Sequence, residues 1–164
     1  MSIEEMQTQR DADYEKYKAE GRIWGTVPRE KIARIQIPRT SKEVIDRYYA
    51  LEDMSTAVSD ILDTYGIHGA VPNTYLKPVK AGSRLVGTAV TVRSIPSRKT
   101  ATQGQRDKDK ILMSTKDIFY LGEAGDVLVS DFGGNLEYSN IGGQSCHLAK
   151  VRGFAGCIAY GSCR

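Results

Sequence analysis

The chain has 164 residues, enough for one domain with a core of its own. Its 23 basic and 20 acidic residues leave a net charge of +3, too balanced to argue for a nucleic-acid surface. Hydrophobic residues at 40% and charged residues at 26% are ordinary soluble globular composition, and no apolar run is long enough to span a bilayer.

Residues 2–20 read as a polar helix with thin apolar spacing at Ile3, Met6, Tyr14 and Tyr17. It is either an arm that packs on a neighbouring subunit or a solvated helix with frayed ends. The same stretch is dense in charge and lacks the apolar centre of a signal peptide. Residues 21–28 break the helix. Residues 32–38 alternate and end in Pro38, which predicts an extended segment or a short strand. Ser41 is a fair N-cap for a helix running from Lys42 through Tyr48 to about Leu51. A second helix is predicted over residues 55–65, with Val58, Ile61 and Leu62 on one face and Gly66 as its stop. Asp60 and Asp63 on that helix read as solvated or surface-paired carboxylates. His68, in the loop beyond, is given no role.

Residues 84–95 form the clearest strand, rich in Leu85, Val86, Val90 and Val92, with Gly87 inside. Residues 96–110 are polar and read as a solvated loop or a mobile lid. A helix is predicted over 111–120 and a turn over 122–126. The short buried strand Val127–Ser130 follows, then Asp131-Phe132-Gly133-Gly134-Asn135. Gly142 opens a helix through about Arg152, Gly153 ends it, and residues 156–160 make another strand. Strand, helix and strand in this order predict a right-handed βαβ crossover and an α/β domain.

Cys146, Cys157 and Cys163 are odd in number and lie in one segment. With no secretion signal they read as reduced thiols of a cytoplasmic protein. They lack a CxxC pair, and His147 beside Cys146 would point away from it on a helix, so the set is a poor zinc site. Cys146 reads as a buried helix cysteine, not a nucleophile, because no base is placed for it. Asp131-Phe132-Gly133 matches a kinase triplet by chance, since the other kinase motifs are missing. Asp131 is expected to cap the turn into Gly133-Gly134.

The chemistry concentrates in Gly142-Gly143-Gln144-Ser145 and the path through Gly153, Gly156 and Gly161 to Arg164. The two glycines allow a tight turn where a ligand comes close. The helix behind them offers free N–H groups and a dipole that favours an anion. Gly153 suits a left-handed helix end, and Gly161 makes room at a strand end, where open α/β sheets bind ligands. Arg164 would then arrive beside the same anion and fork onto a carboxylate. Spacing alone leaves two readings open: a carboxylate or phosphate pocket, or an ordinary βαβ turn with a surface arginine.

The run GDVLVSDFGGN…IGGQSCHLAKVRGFAGCIAYGSCR resembles the RraA-like family, and STAVSDILDTYG and GSRLVGTAVTVRSIP upstream are similar to that family's opening helix and first sheet strand. That family includes 4-hydroxy-4-methyl-2-oxoglutarate aldolases, oxaloacetate decarboxylases and regulators of ribonuclease E activity. The resemblance implies a swivelling β/β/α-type domain over residues 51–164, incomplete at its C-terminal side. Residues 1–50 then form an N-terminal extension, mostly helical. The implied activity is divalent-metal-dependent cleavage or decarboxylation of a 2-oxo acid through a pyruvate enolate. The alternatives are a non-catalytic binding or regulatory protein, or one chain of a processed two-chain enzyme.

By the same resemblance, Gly142, Gly143, Gln144 and Ser145 hold the 2-oxo acid by backbone amides, and Arg164 is the catalytic arginine that contacts it. Mg²⁺ or Mn²⁺ is the expected cofactor. Its aspartate in the family follows the position of Arg164, so no metal ligand is assigned here. Many aldolases of the family carry bulky apolar residues where this chain has Gln144 and Ser145, which points to a more polar substrate or to a member without aldolase activity. A homo-oligomer, trimer or hexamer, is expected, with sites at subunit interfaces, or a second chain completing the domain. Neither membrane nor nucleic acid is an expected partner.

Overall fold

The computed structural model describes residues 2–23, 29–32, 35–96, 98–107, 115–139 and 141–164. Helix α1, Ile3–Ala19, starts in a reciprocal cap. The Ser2 hydroxyl accepts from the Glu5 N–H at 3.1 Å, and the Glu5 carboxylate accepts from the Ser2 N–H at 2.6 Å. Tyr17 is the one buried residue of α1, so the carboxyl end of this polar helix packs and the rest is solvated. Gly21, at φ 68°, turns the chain away. The predicted break over 21–28 lies partly outside the described residues.

Residues 35–40 run without a strand partner, although Ile35 is buried and Ile37 packs against the core. This is the extended alternative of the two that alternation allowed. Helix α2, Lys42–Tyr49, carries the predicted Ser41 cap, whose hydroxyl accepts from the Val44 N–H at 3.4 Å. Helix α3 spans Met54–Thr64. Gly66, at φ 69°, ends it: its N–H bonds the Asp63 carbonyl, and the Ile67 N–H bonds that of Leu62.

Strand β1, Ala89–Arg93, is shorter than predicted. The Val86 N–H is taken by the Tyr49 hydroxyl at 3.1 Å, and a Cβ at Gly87 would sit 2.3 Å from the Gly125 carbonyl oxygen. Ladder pairing therefore begins only at Thr88, whose carbonyl accepts from the Val127 N–H. The polar stretch over 96–110 is not all loop, since residues 101–106 form helix α4, Ala101–Arg106. Thr100 starts it by accepting from the Gln103 N–H, and a Lys99–Asp107 ion pair at 2.9 Å spans it. Residues 97 and 108–110 lie outside the described set. Helix α5, Thr115–Leu121, covers the later part of the helix expected over 111–120, and residues 111–114 are likewise outside.

Strand β2, Val127–Asp131, helix α6, Gly143–Val151, and strand β3, Gly156–Tyr160, follow as predicted within a residue or two. The sheet order is β1-β2-β3 and both pairings are parallel. The register aligns Arg93, Asp131 and Tyr160 at the carboxyl ends of the three strands. Helices and strands thus form a mixed molecule with a small parallel sheet.

One sheet face carries the core of Val90, Ile118, Phe119, Leu128, Phe132, Ile141, Ala149 and Phe154. Phe119 and Phe154 meet edge to face with centroids 5.5 Å apart. Gly122 lies over that pair, where a Cβ would come within 2.1 Å of the Phe154 ring. Against the other face, α2 and α3 leave a cavity of about 580 Å³, lined by Val58, Leu62, Val86, Val129 and Ile158 among others.

Candidate functional site at the amino end of α6

Strand β2 ends in Asp131, and its carboxylate accepts from the Gly133 N–H at 2.8 Å, the turn-capping role expected of it. Gly133 and Gly134 both hold positive φ, 62° and 69°, so the chain doubles back over the strand ends. The Tyr160 carbonyl accepts from the N–H groups of Phe132 and Gly134, and the Asn135 carbonyl accepts from that of Ser162. These bonds tie the loop after β2 to the segment after β3. Gly161, at φ 145°, sits against Phe132, where a Cβ would fall 2.8 Å from that residue's own Cβ.

Beyond Gly161 the chain meets the start of α6. Ile141 and Cys163 form an isolated parallel bridge, and the Arg164 N–H donates to the Ile141 carbonyl at 3.0 Å. Arg164 is thereby brought beside Gly142. Gly142 is the N-cap of α6, extended at φ −144°, and offers no side-chain cap. A Cβ there would come 3.3 Å from the Arg164 carbonyl oxygen. Neither Gly142 nor Gly143 has a positive φ. The expectation that both are needed for a tight turn is therefore corrected: Gly142 is small because another backbone passes close, and Gly143 faces open space.

The first amide of α6 with a helical acceptor is that of Cys146, bonded to the Gly142 carbonyl at 3.0 Å. The N–H groups of Gly143, Gln144 and Ser145 have no acceptor among the described residues. Gly143, Gln144 and Arg164 are exposed, and Gly142 and Ser145 are half-buried. The Arg164 guanidinium has no ion-pair or hydrogen-bond partner among the described residues. All five residues singled out in the sequence thus stand at one rim, open to solvent. Two cavities lie elsewhere, one on the α2–α3 face and one, of about 420 Å³, at the amino ends of the strands beside Arg39 and Asp126.

Arg93, which sequence reading missed, reaches Asp131 at 3.4 Å. Only the strand register reveals that pairing. Among the described residues no three histidine, cysteine or acidic side chains are grouped to hold a metal. The rim residues from Gly142 to Ser145, and Arg164, include no carboxylate, and Asp131 is engaged by Gly133 and Arg93. This donor set does not fit a divalent metal by itself.

Cys146 is exposed, which corrects the expectation of a buried helix cysteine. The face that α6 turns to the sheet runs through Ser145, Leu148, Ala149 and Arg152, and Cys146 falls beside it. Burial, with the neighbouring Cys146 and Cys163, pushes the Cys157 thiol up to about 11, so Cys157 stays protonated at neutral pH. Burial and Cys146 also raise Cys163. Among the described residues, no helix is long and apolar enough to cross a membrane.

A parallel sheet with an uncapped helix end and an arginine at the strand ends is the anion-binding arrangement of α/β proteins. The family model described as RraA-like, Aldolase/RraA, matches residues 55–164, and the chain belongs to that family. The crystal structure of an uncharacterized protein from Pseudomonas syringae pv. tomato str. DC3000 is similar, with 26% identity and a TM-score of 0.56. The likeness covers 79% of this chain and 52% of that one, so the chain spans about half the length of the structure it matches. No curated protein matches the chain.

Proposed function

We propose that the amino end of α6 and Arg164 bind the carboxylate of a small 2-oxo acid, and that the chain is the substrate-holding part of a carbon–carbon lyase. One observation carries this reading. The Arg164 N–H bond to Ile141 brings the backbone of Arg164, whose guanidinium has no partner among the described residues, to the start of a helix whose first three amides have no acceptor among those residues. Membership of a family described as Aldolase/RraA supports the reaction class.

Cleavage next to a 2-oxo acid leaves a pyruvate enolate, whose charge needs donors aimed at it. The amides of Gly143 to Ser145 orient the carboxylate, and Arg164 forks onto the oxygens where charge builds. Gln144 and Ser145 at the rim suit a polar substituent on the substrate. A Mg²⁺ or Mn²⁺ requirement belongs to the same proposal, since such an ion supplies Lewis-acid stabilisation of an enolate. Its carboxylate ligands would have to come from outside this rim. The openness of the rim favours completion by another subunit of a homo-oligomer.

A second reading, a regulatory protein that binds without turnover, is favoured by the lack of a free acid–base side chain among the described rim residues. Pyruvate release from oxaloacetate and from 4-hydroxy-4-methyl-2-oxoglutarate, with Mg²⁺ and after chelation, separates the two. Metal-dependent release is expected. Pyruvate binding in calorimetry without any turnover would leave the regulatory reading, and neither binding nor turnover would remove the site assignment itself.

A further inference from the structure

The three cysteines come together where β3 meets the start of α6. Cys157 lies on β3 and packs, with Ala159, on the sheet face that carries the core. Beyond β3, Cys163 forms the parallel bridge to Ile141, the residue before the N-cap of α6. Bridged residues send their side chains to the same face of the pleat. Ile141 is buried in the core that α6 covers, so Cys163 faces the start of that helix. Cys146 stands one turn into α6, its N–H bonded to the Gly142 carbonyl at 3.0 Å. It comes three positions before the buried Ala149, which makes the two neighbours on the helix surface.

The electrostatics agree with that placement. Burial raises the thiols of both Cys157 and Cys163, and the charge of Cys146 adds to both. Cys163 also acts on Cys157. Each thiol thus senses the other two. Exposure divides the set, since Cys146 and Cys163 are open to solvent and Cys157 is half-buried and protonated at neutral pH. Among the described residues no three metal-ligating side chains are grouped around one point. The accessible chemistry of the cluster is therefore that of two exposed thiols. Two thiolates so placed repel, and a bond between their sulfurs removes both charges.

We infer that Cys146 and Cys163 are a reversible oxidation site, in which a disulfide ties the segment carrying Arg164 to the first turn of α6. Its effect on binding rests on the anion-rim reading above; the bond itself does not. The oxidant is a hydroperoxide. The thiolate of one cysteine attacks the peroxide oxygen, the O–O bond breaks, and a sulfenic acid and hydroxide result. The second thiolate attacks that sulfur, the S–S bond forms, and the S–O bond breaks to release a second hydroxide. The protons of the two thiols convert both hydroxides to water, so two thiols are oxidised and one peroxide is reduced. Cys157 is the poorer second partner, because little of it is thiolate and it is half-buried. Arg164 is held to the helix start by the Cys163 bridge and its own N–H bond to Ile141. Closing the loop from Cys146 to Cys163 restricts that segment further.

The test treats the full reduced chain with hydrogen peroxide, blocks the remaining thiols with iodoacetamide and maps joined peptides by mass. A single chain lighter by two hydrogens is expected, with Cys146 joined to Cys163, and dithiothreitol should restore the starting mass. Cys146→Ser and Cys163→Ser should each abolish the bond, and Cys157→Ser should leave it in place. If the Cys157→Ser chain fails to fold, the wild-type map decides. In the oxidised chain, amide exchange at Arg164 should slow about tenfold, because a closed loop opens less often. Pyruvate should bind about threefold more tightly, since Arg164 is ordered in advance. No pyruvate binding in either form, with the bond and the slower exchange both present, would remove the rim reading and leave the oxidation site standing. The oxidation site is overturned by bonds between chains, by a Cys146–Cys157 bond, by oxidation that ends in sulfinic or sulfonic acids without a cross-link, or by Arg164 exchange that oxidation leaves unchanged.

Discussion

The carboxyl end of α5 and the amino end of α6 are both helix termini served by arginine, yet they are built to opposite ends. At α5 each arginine is engaged: Arg22, Arg39 and Arg152 divide the last carbonyls, and Glu123 and Asp126 balance the charge. At α6, three amides and the Arg164 guanidinium have no partner among the described residues. A saturated terminus stabilises the fold, because its polar groups are neither solvated nor orphaned. An open terminus contributes little to the fold and keeps its donors for a ligand. The same residue type is therefore structural in one place and a candidate ligand group in the other, and partner count separates the roles.

That contrast can be broken most forcefully at the saturated end. Arg39→Ala removes the cation facing an Asp126 side chain that is 3% exposed. A loss of about 3 kcal/mol is expected, as for one partner of a buried pair, with a melting temperature lower by roughly 10 °C. Calorimetric melting checks it, and an unchanged transition would mean that Asp126 is stabilised without Arg39.

At the open end, Arg164→Ala should do the reverse. Stability should hold within about 0.5 kcal/mol, as for a surface change, while affinity for pyruvate falls by about tenfold or more, as when a charge-assisted bond is lost. Thermal melting and calorimetric titration on the same sample measure both. A fall in stability as large as that of Arg39→Ala would erase the distinction between the two termini.

The smallest effect concerns Cys157, on β3 beneath α6. Its folded value of about 11 lies above the ordinary 9.0, so the folded state holds the proton more tightly. Stability from this group is full below about pH 9 and is lost as pH rises through about 11. Urea midpoints across that window should fall more steeply for the wild type than for Cys157→Ala. Equal slopes would mean that the thiol is not held out of water.

The sequence by itself determined the local pieces whose causes are local. Ser41 and Gly66 bound their helices, Gly153 takes a positive φ of 78° after α6, and the apolar runs of β2 and β3 lie where their composition puts them. Family membership was legible for a related reason: glycines at several spacings with a trailing arginine leave a trace in residue order. The proximity of Arg164 to Gly142 was inferred from that order, and the backbone bond through Ile141 supplies its geometry.

Only the tertiary structure decided the contacts that join distant stretches. The shortening of β1 depends on a Tyr49 hydroxyl from another helix, and the pairing of Arg93 with Asp131 depends on strand register. The capping of α5 by Arg22 spans 98 and 99 residues of chain. An arginine in a sequence shows its charge and reach but not its acceptor. Whether a given guanidinium is spent on the fold or left for a ligand is fixed when the chain closes around it.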